Sequence, residues 1–218
     1  MGRSADIQQR EVEPAGDVEA FDRLVRGRRS VRRYEPRPVP RALLNAVLEA
    51  GRWAPSPHNT LPWRFALLTT ATVKERGAEA MAARWTRDLG ADGLSPVEVT
   101  AQVERSRRRL REAPALIVGC LSFTGLDAYP DEARQRAEHA MAAHSLGAAL
   151  QTMMLAAHAR GLATCWMCAP LFCPEVVVEA LGLPPTLLPH GLLTVGYPAT
   201  TPPPRERPGL ETLLILDA

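Results

Sequence analysis

The chain has 218 residues, 46% of them hydrophobic and 23% charged, with 26 basic against 24 acidic side chains and a formal net charge of +2. That is enough apolar material for a substantial core in one domain, and too little net positive charge to hold nucleic acid by bulk electrostatics. No apolar run approaches the roughly 20 residues of a membrane span, and the polar, acidic N-terminus does not read as a secretory leader. A cytoplasmic protein without nucleic-acid or membrane partners is expected, its four cysteines reduced.

Residues 1–18 carry no apolar periodicity and are expected to form a flexible tail, leaving 19–218 as a single domain. A first helix is predicted from about Val18 to Arg26. Pro40 opens a second at the favoured first position, and Leu43, Leu44, Val47 and Leu48 mark one face of it. Pro55 and Pro57 cannot continue it. "WRFALLTT" (63–70) reads as a buried strand. Helices follow from about Thr72 to Asp88 and from Ser95-Pro96 onward, the latter strongly basic near its end. "PALIVGCLSF" (114–123) is a second strand. A long Ala-rich helix from about Glu132 to Arg160 carries Ala142, Ala143, Gly147, Ala148 and Ala149, which allow another helix to approach closely. "GLATCWM" is a third strand, "PEVVVEALGL" a helix closed by Gly182, and "GLLTVGY" a fourth strand. The final "LETLLILDA" is an extended apolar tail that must join its own sheet or a partner's. Helices and strands alternate unevenly and helices dominate, which predicts an α+β domain with one sheet wrapped by helices.

Four stretches could carry chemistry. "RGRRSVRR" (26–33) packs five arginines and a serine into eight residues. Guanidinium forks and a hydroxyl match phosphate oxygens, although a solvated charge run is an equal reading of the segment alone. In "APSPHNTLPW", prolines stiffen a loop around Asn59, whose amide can read the edge of a flat heterocycle or cap backbone. "RER" (205–207) is a second arm of the anion site or an exposed turn. "CWMC" (165–168) is a redox pair, half of a zinc site, or simply buried thiols. No dinucleotide fingerprint, phosphate loop, nucleophile elbow or metalloprotease helix motif occurs.

The order of these segments resembles the FMN-dependent nitroreductase family from about residue 21 to residue 207. Arg28, Arg29, Ser30, Arg32 and Tyr34 fit its opening R-x-S-x-R-x-[FY] pattern. Pro55, Ser56, Asn59, Pro62 and Trp63 fit its P-S-x-x-N-x-Q-P-W loop, with Leu61 in place of the glutamine. "RWTRDLGADGLSPVEV", "DAYPDEARQRAEHAM" and "GLATCWMCAPLF" are similar to the flavin domain that stands C-terminal to the glutamate ligase of coenzyme F-420 biosynthesis, here without the ligase.

That resemblance implies a nitroreductase-like fold, with a mostly antiparallel sheet and a C-terminal strand exchanged in a homodimer. FMN rather than FAD is the implied cofactor. Its phosphate would be held by Arg28, Arg29 and Ser30 with Arg205 or Arg207. Arg32 would lie near the ring's C2 carbonyl or the ribityl chain. Pro55, Ser56 and Asn59 would hold the pyrimidine edge, and Met167, Cys168 and Ala169 would lie near N5. The flavin carries the chemistry, so no protein acid–base pair is needed. A reduced nicotinamide or deazaflavin would load it and a small-molecule acceptor would unload it, ping-pong, with the dehydro precursor of coenzyme F-420 as a candidate acceptor. Cys165 and Cys168 are expected to be non-catalytic, and Arg109, in the basic helix, to stand outside the site. The alternatives are a non-catalytic flavin-binding module and a CxxC redox or zinc protein.

Overall fold

A computed structural model describes residues 16–216. The helices are α1 (Val18–Gly27), α2 (Arg41–Arg52), α3 (Ala71–Ala91), α4 (Pro96–Glu112), α5 (Glu132–His158) and α6 (Pro174–Leu181). The strands are β1 (Trp63–Leu68), β2 (Ala115–Ser122), β3 (Ala163–Met167) and β4 (Leu187–Gly196). The expected N-terminal tail falls mostly on residues 1–15, outside the described residues.

Local chemistry places most boundaries. Asp17 accepts from the Ala20 amide at the start of α1, and Asp131 from that of Arg134 at the start of α5. Ser95 and Glu98 form a reciprocal capping box ahead of α4. Gly182, at φ 64°, closes α6 in the left-handed region. Buried Lys74 donates from Nζ to the carbonyls of Arg111 (3.2 Å) and Ala113 (2.5 Å), so α3 supplies a cation to the C-terminal end of α4.

The strands form one sheet in the order β1-β2-β4-β3, with every neighbouring pair antiparallel. β2 is buried along its whole length because both faces are covered. Ala115, Ile117 and Leu121 face a core shared with α2 and α5; Leu116, Val118 and Cys120 face one shared with α3 and α6. α2 lies so close to α5 that a β-carbon on Gly51 would collide with Met153. Ala142, Ala149 and Ala157 of α5 are buried in that same core. The close approach expected of the small residues is therefore made by α2 within the chain.

Two boundaries differ from the sequence reading. β4 begins at Leu187, before Pro189 rather than after it. Pro189 pairs with Cys120 where the register shifts, so its missing N–H falls at an irregularity in the ladder. The C-terminal segment is not an extended strand: Leu210–Thr212 make one 3-10 turn, and Leu210, Leu213, Ile215 and Leu216 are exposed.

Candidate functional site

The basic segment is fastened to the outer edge of β3. Ser30 forms a parallel bridge with Thr164, and the Val31 amide donates to the Thr164 carbonyl at 3.0 Å. Tyr34 anchors the next turn. Its hydroxyl lies 2.6 Å from Thr194 Oγ1 and 2.7 Å from the Val31 carbonyl, and burial pushes the phenol well above its usual range. The arginines then divide. Arg29 donates to the carbonyls of Arg26 and Arg28 and so caps the end of α1. Arg28 has a buried Nη1 with no hydrogen-bond partner among the described residues. Arg32 is exposed, with only a 3.4 Å contact to the Ser30 carbonyl. A buried guanidinium nitrogen without an acceptor is costly, and an anionic group bound at Arg28 would supply one. The residues present fit an anionic cofactor group.

The site continues along β3. Thr164 turns its carbonyl to the outer edge, so strand alternation leaves the backbone of Trp166 facing the same way, next to Met167, Cys168 and Ala169. Past the Ser30 bridge, the outer side of Trp166 has no partner strand among the described residues. Beyond it, Met167, Cys168 and Ala169 line a cavity of ≈ 650 Å³ between α3, α4 and the turn after β3.

The proline-rich loop lies elsewhere. Ser56 Oγ accepts from the Leu61 amide at 3.0 Å, and the Thr60 hydroxyl donates to the Pro57 carbonyl at 2.9 Å. Ser56 thus holds the loop closed, which frees Asn59 from backbone capping: its exposed side chain has no hydrogen bond among the described residues. His58, Asn59 and Leu61 have φ of 50°, 54° and 48°. Three non-glycine residues in the left-handed region within four positions are a concentration of backbone strain typical of functional loops.

Pairing fixes where this loop stands. The Ser122 amide donates to the Pro62 carbonyl, and Trp63 pairs with Leu121. Thr164 pairs with Val195, and Val195 with Ala115. The loop and Ser30 therefore stand at diagonally opposite corners of the sheet, on the order of 25 Å apart by strand spacing and rise. One chain does not bring Arg28 and Asn59 together. Pro55 is exposed on the loop's approach. Arg205 and Arg207 lie on an exposed segment without regular structure. That segment leaves the core beside the basic one, since the Ala199 amide donates to the Arg33 carbonyl.

Cys165 is buried and Cys168 exposed, and burial pushes the thiols of Cys120 (to about 11), Cys165 and Cys173 upward. Elevated thiols are poor nucleophiles. No group of three metal-ligating side chains is assembled among the described residues. Two residues enter that sequence reasoning missed. His158, at the end of α5, faces Gly27 and feels the charges of Arg28 and Arg29. Arg109, named in the sequence only as part of the basic helix, lines the cavity and lies near Arg32 and Cys165. Its signal was present in the spacing of α4, but a polar helix stripe reads the same whether it faces solvent or a cavity.

Comparison with known proteins identifies the fold and the family. A structure designated a nitroreductase, from Desulfovibrio desulfuricans in complex with FMN, superimposes with a TM-score of 0.68 at 26% identity, covering 90% of this chain and 95% of that one. A Thermus thermophilus protein named NADH dehydrogenase is 31% identical over 86% of this chain and 91% of its own length. A Bacillus subtilis protein named as an NAD(P)H nitroreductase is 24% identical over 84% and 87%. The model of the Nitroreductase family matches residues 25–197, from the arginine cluster to the end of β4. The chain belongs to the Nitroreductase family and is an oxidoreductase.

Proposed function

We propose that the protein is a homodimeric FMN-dependent enzyme that moves two electrons, ping-pong, from a reduced nicotinamide or reduced deazaflavin to an electrophilic small molecule. The observation that carries this reading is the buried Arg28 Nη1, unpaired among the described residues, two positions before Ser30, which bridges to the edge strand β3. Bound FMN would supply the hydride chemistry; the chain supplies binding and orientation.

Arg28 and Ser30 would hold the phosphate, with Arg29 adding charge behind them. Arg32 would place its guanidinium near the ring's C2 carbonyl, where positive charge favours the reduced anion. The backbone from Trp166 to Ala169 would stand along the ring's reacting edge. Arg205 is six residues past Ala199, which pairs with Arg33. Six residues span up to about 20 Å, enough for Arg205 or Arg207 to return to the phosphate.

Pro55, Ser56 and Asn59 would serve the flavin of a second copy, because their corner is too far from Arg28 in the same chain. Two apolar features support such a dimer. Val18, Phe21 and Val25 form an exposed stripe on α1, and Leu210–Leu216 is an exposed apolar segment. A two-fold assembly covers both, and strand exchange by the tail is one way to do so. The resemblance to the flavin domain of coenzyme F-420 biosynthesis makes the dehydro precursor of that coenzyme a candidate acceptor. No helix among the described residues is long and apolar enough to cross a membrane.

Heat release of the cofactor followed by chromatography against standards is the test. FMN is the expected species; FAD as the main species, or a colourless protein that takes up no FMN, overturns the reading. Anaerobic titration with NADH, NADPH and a reduced deazaflavin then identifies the donor by which one bleaches the bound flavin.

A further inference from the structure

β3 is an outermost strand of the sheet, and its last two residues send their side chains to opposite faces. Met167 packs on the core shared with α3 and α6, whereas Trp166 packs on the one shared with α2 and α5. Two glycines make the space that receives the indole. A β-carbon on Gly191, in β4, would lie 2.9 Å from Trp166 Nε1, and one on Gly147, in α5, would lie 3.5 Å from Cη2. The ring is wedged between bare backbone of β4 and bare backbone of α5.

This fit is made at the expense of a hydrogen bond. Nε1 is buried and has no partner among the described residues, although a buried indole N–H usually finds one. Local rules of this kind are broken chiefly where a side chain serves something beyond its own bonding. What the ring holds is the end of the strand. Thr164 turns its carbonyl outward to the Val31 amide. Alternation then directs the N–H and C=O of Trp166 outward too, while Cys165 and Met167 pair inward with Thr194 and Leu192. After Met167 the chain leaves the sheet at Cys168, with φ −98° and ψ 14°. Among the described residues, the outward peptide groups of Trp166 are held in place only by β4 on the inner side and by the wedged indole.

We propose that Trp166 is a positioning residue. Its indole, clamped by Gly147 and Gly191, fixes the outward peptide groups of Trp166 against the reacting edge of the cofactor and so sets the site's relative affinity for oxidised and reduced flavin. The proposal rests on the FMN reading above. Oxidised and reduced flavin differ in the proton at N5, so peptide groups held in register there discriminate between them, and displaced ones do so less.

Two measurements test it, one on the flavin-free protein and one on the loaded protein. Trp166→Ala removes the wedge, and Leu44→Ala, on α2, removes a buried side chain of the same core as a control for lost stability. In the flavin-free protein, amide exchange read by mass spectrometry should show residues 163–167 losing more protection than β2 in Trp166→Ala, and no more than β2 in Leu44→Ala. In the loaded protein, reductive titration against a reference dye reads the ratio of oxidised to reduced affinity. Trp166→Ala should change that ratio about fivefold, the worth of one hydrogen bond, and Leu44→Ala should leave it unchanged. Trp166→Phe, which keeps a ring, should stay near wild type. Gly191→Ala, which drives a methyl toward Nε1, should shift the ratio in the same sense as Trp166→Ala. A ratio identical in wild type and Trp166→Ala, or shifted equally by Leu44→Ala, overturns the proposal and leaves the FMN reading intact. Loss of protection confined to β3 in a protein that takes up no FMN would keep the clamp and sink the FMN reading.

Discussion

Arg28 is held with one guanidinium nitrogen out of water and, among the described residues, without an acceptor, and at this scale the chemistry is most specific. Arg28→Ala should weaken FMN binding by about 1.5–3 kcal/mol, measured by flavin titration, because a hydrogen bond to a charged group is lost. The neighbouring His158 should make stability depend on pH. Its pKa is lowered first by burial and then by Arg28 and Arg29, so between that value and the unfolded value of about 6.5 the unfolded chain binds the extra proton. Stability from this residue is complete above about pH 6.5 and is lost as pH falls below it. On acidification the flavin-free wild type should lose melting temperature faster than His158→Gln; parallel loss would show that His190, lowered by burial alone, carries the effect. Arg28, Ser30 and Asn59 can be singled out in the sequence from residue type and order alone. Arg109 and His158 were not, because their roles arise from which elements pack together.

At the scale of elements, the chain announces its helices through caps and its strands through apolar runs. Ser95 and Pro96 read as a helix start and are one, with Glu98 completing the capping box. The first half of β4 was hidden by Pro189, which reads as a break unless the partner strand is known to shift register opposite it. The small residues of α5 were visible, but not what they pack against. Gly51 supplies the complement on α2, and Gly51→Ala should destabilise the fold by about 1–3 kcal/mol through overpacking against Met153. Chemical denaturation measures it: a lowered midpoint with an unchanged slope is expected. An unaltered midpoint would mean that α2 can move off α5 at little cost.

For the whole molecule, the apolar tail beyond Leu210 and the stripe on α1 are surfaces without cover in one chain. Removing residues 210–218 should shift light scattering toward monomer and lower flavin content together; a truncated dimer with full flavin would show that the tail is dispensable. The opposite-corner placement of Ser30 and the Asn59 loop has a genetic consequence. Suppose Arg28→Ala subunits are co-expressed with Asn59→Ala subunits and the mixed dimer is isolated by two affinity tags. If each flavin takes Arg28 from one chain and Asn59 from the other, both lesions fall in the same site and the second site is wholly native. The mixed species would then bind one FMN per dimer at wild-type affinity, although neither parent homodimer does. If each site were drawn from a single chain, every site would carry one lesion and no such complementation would occur.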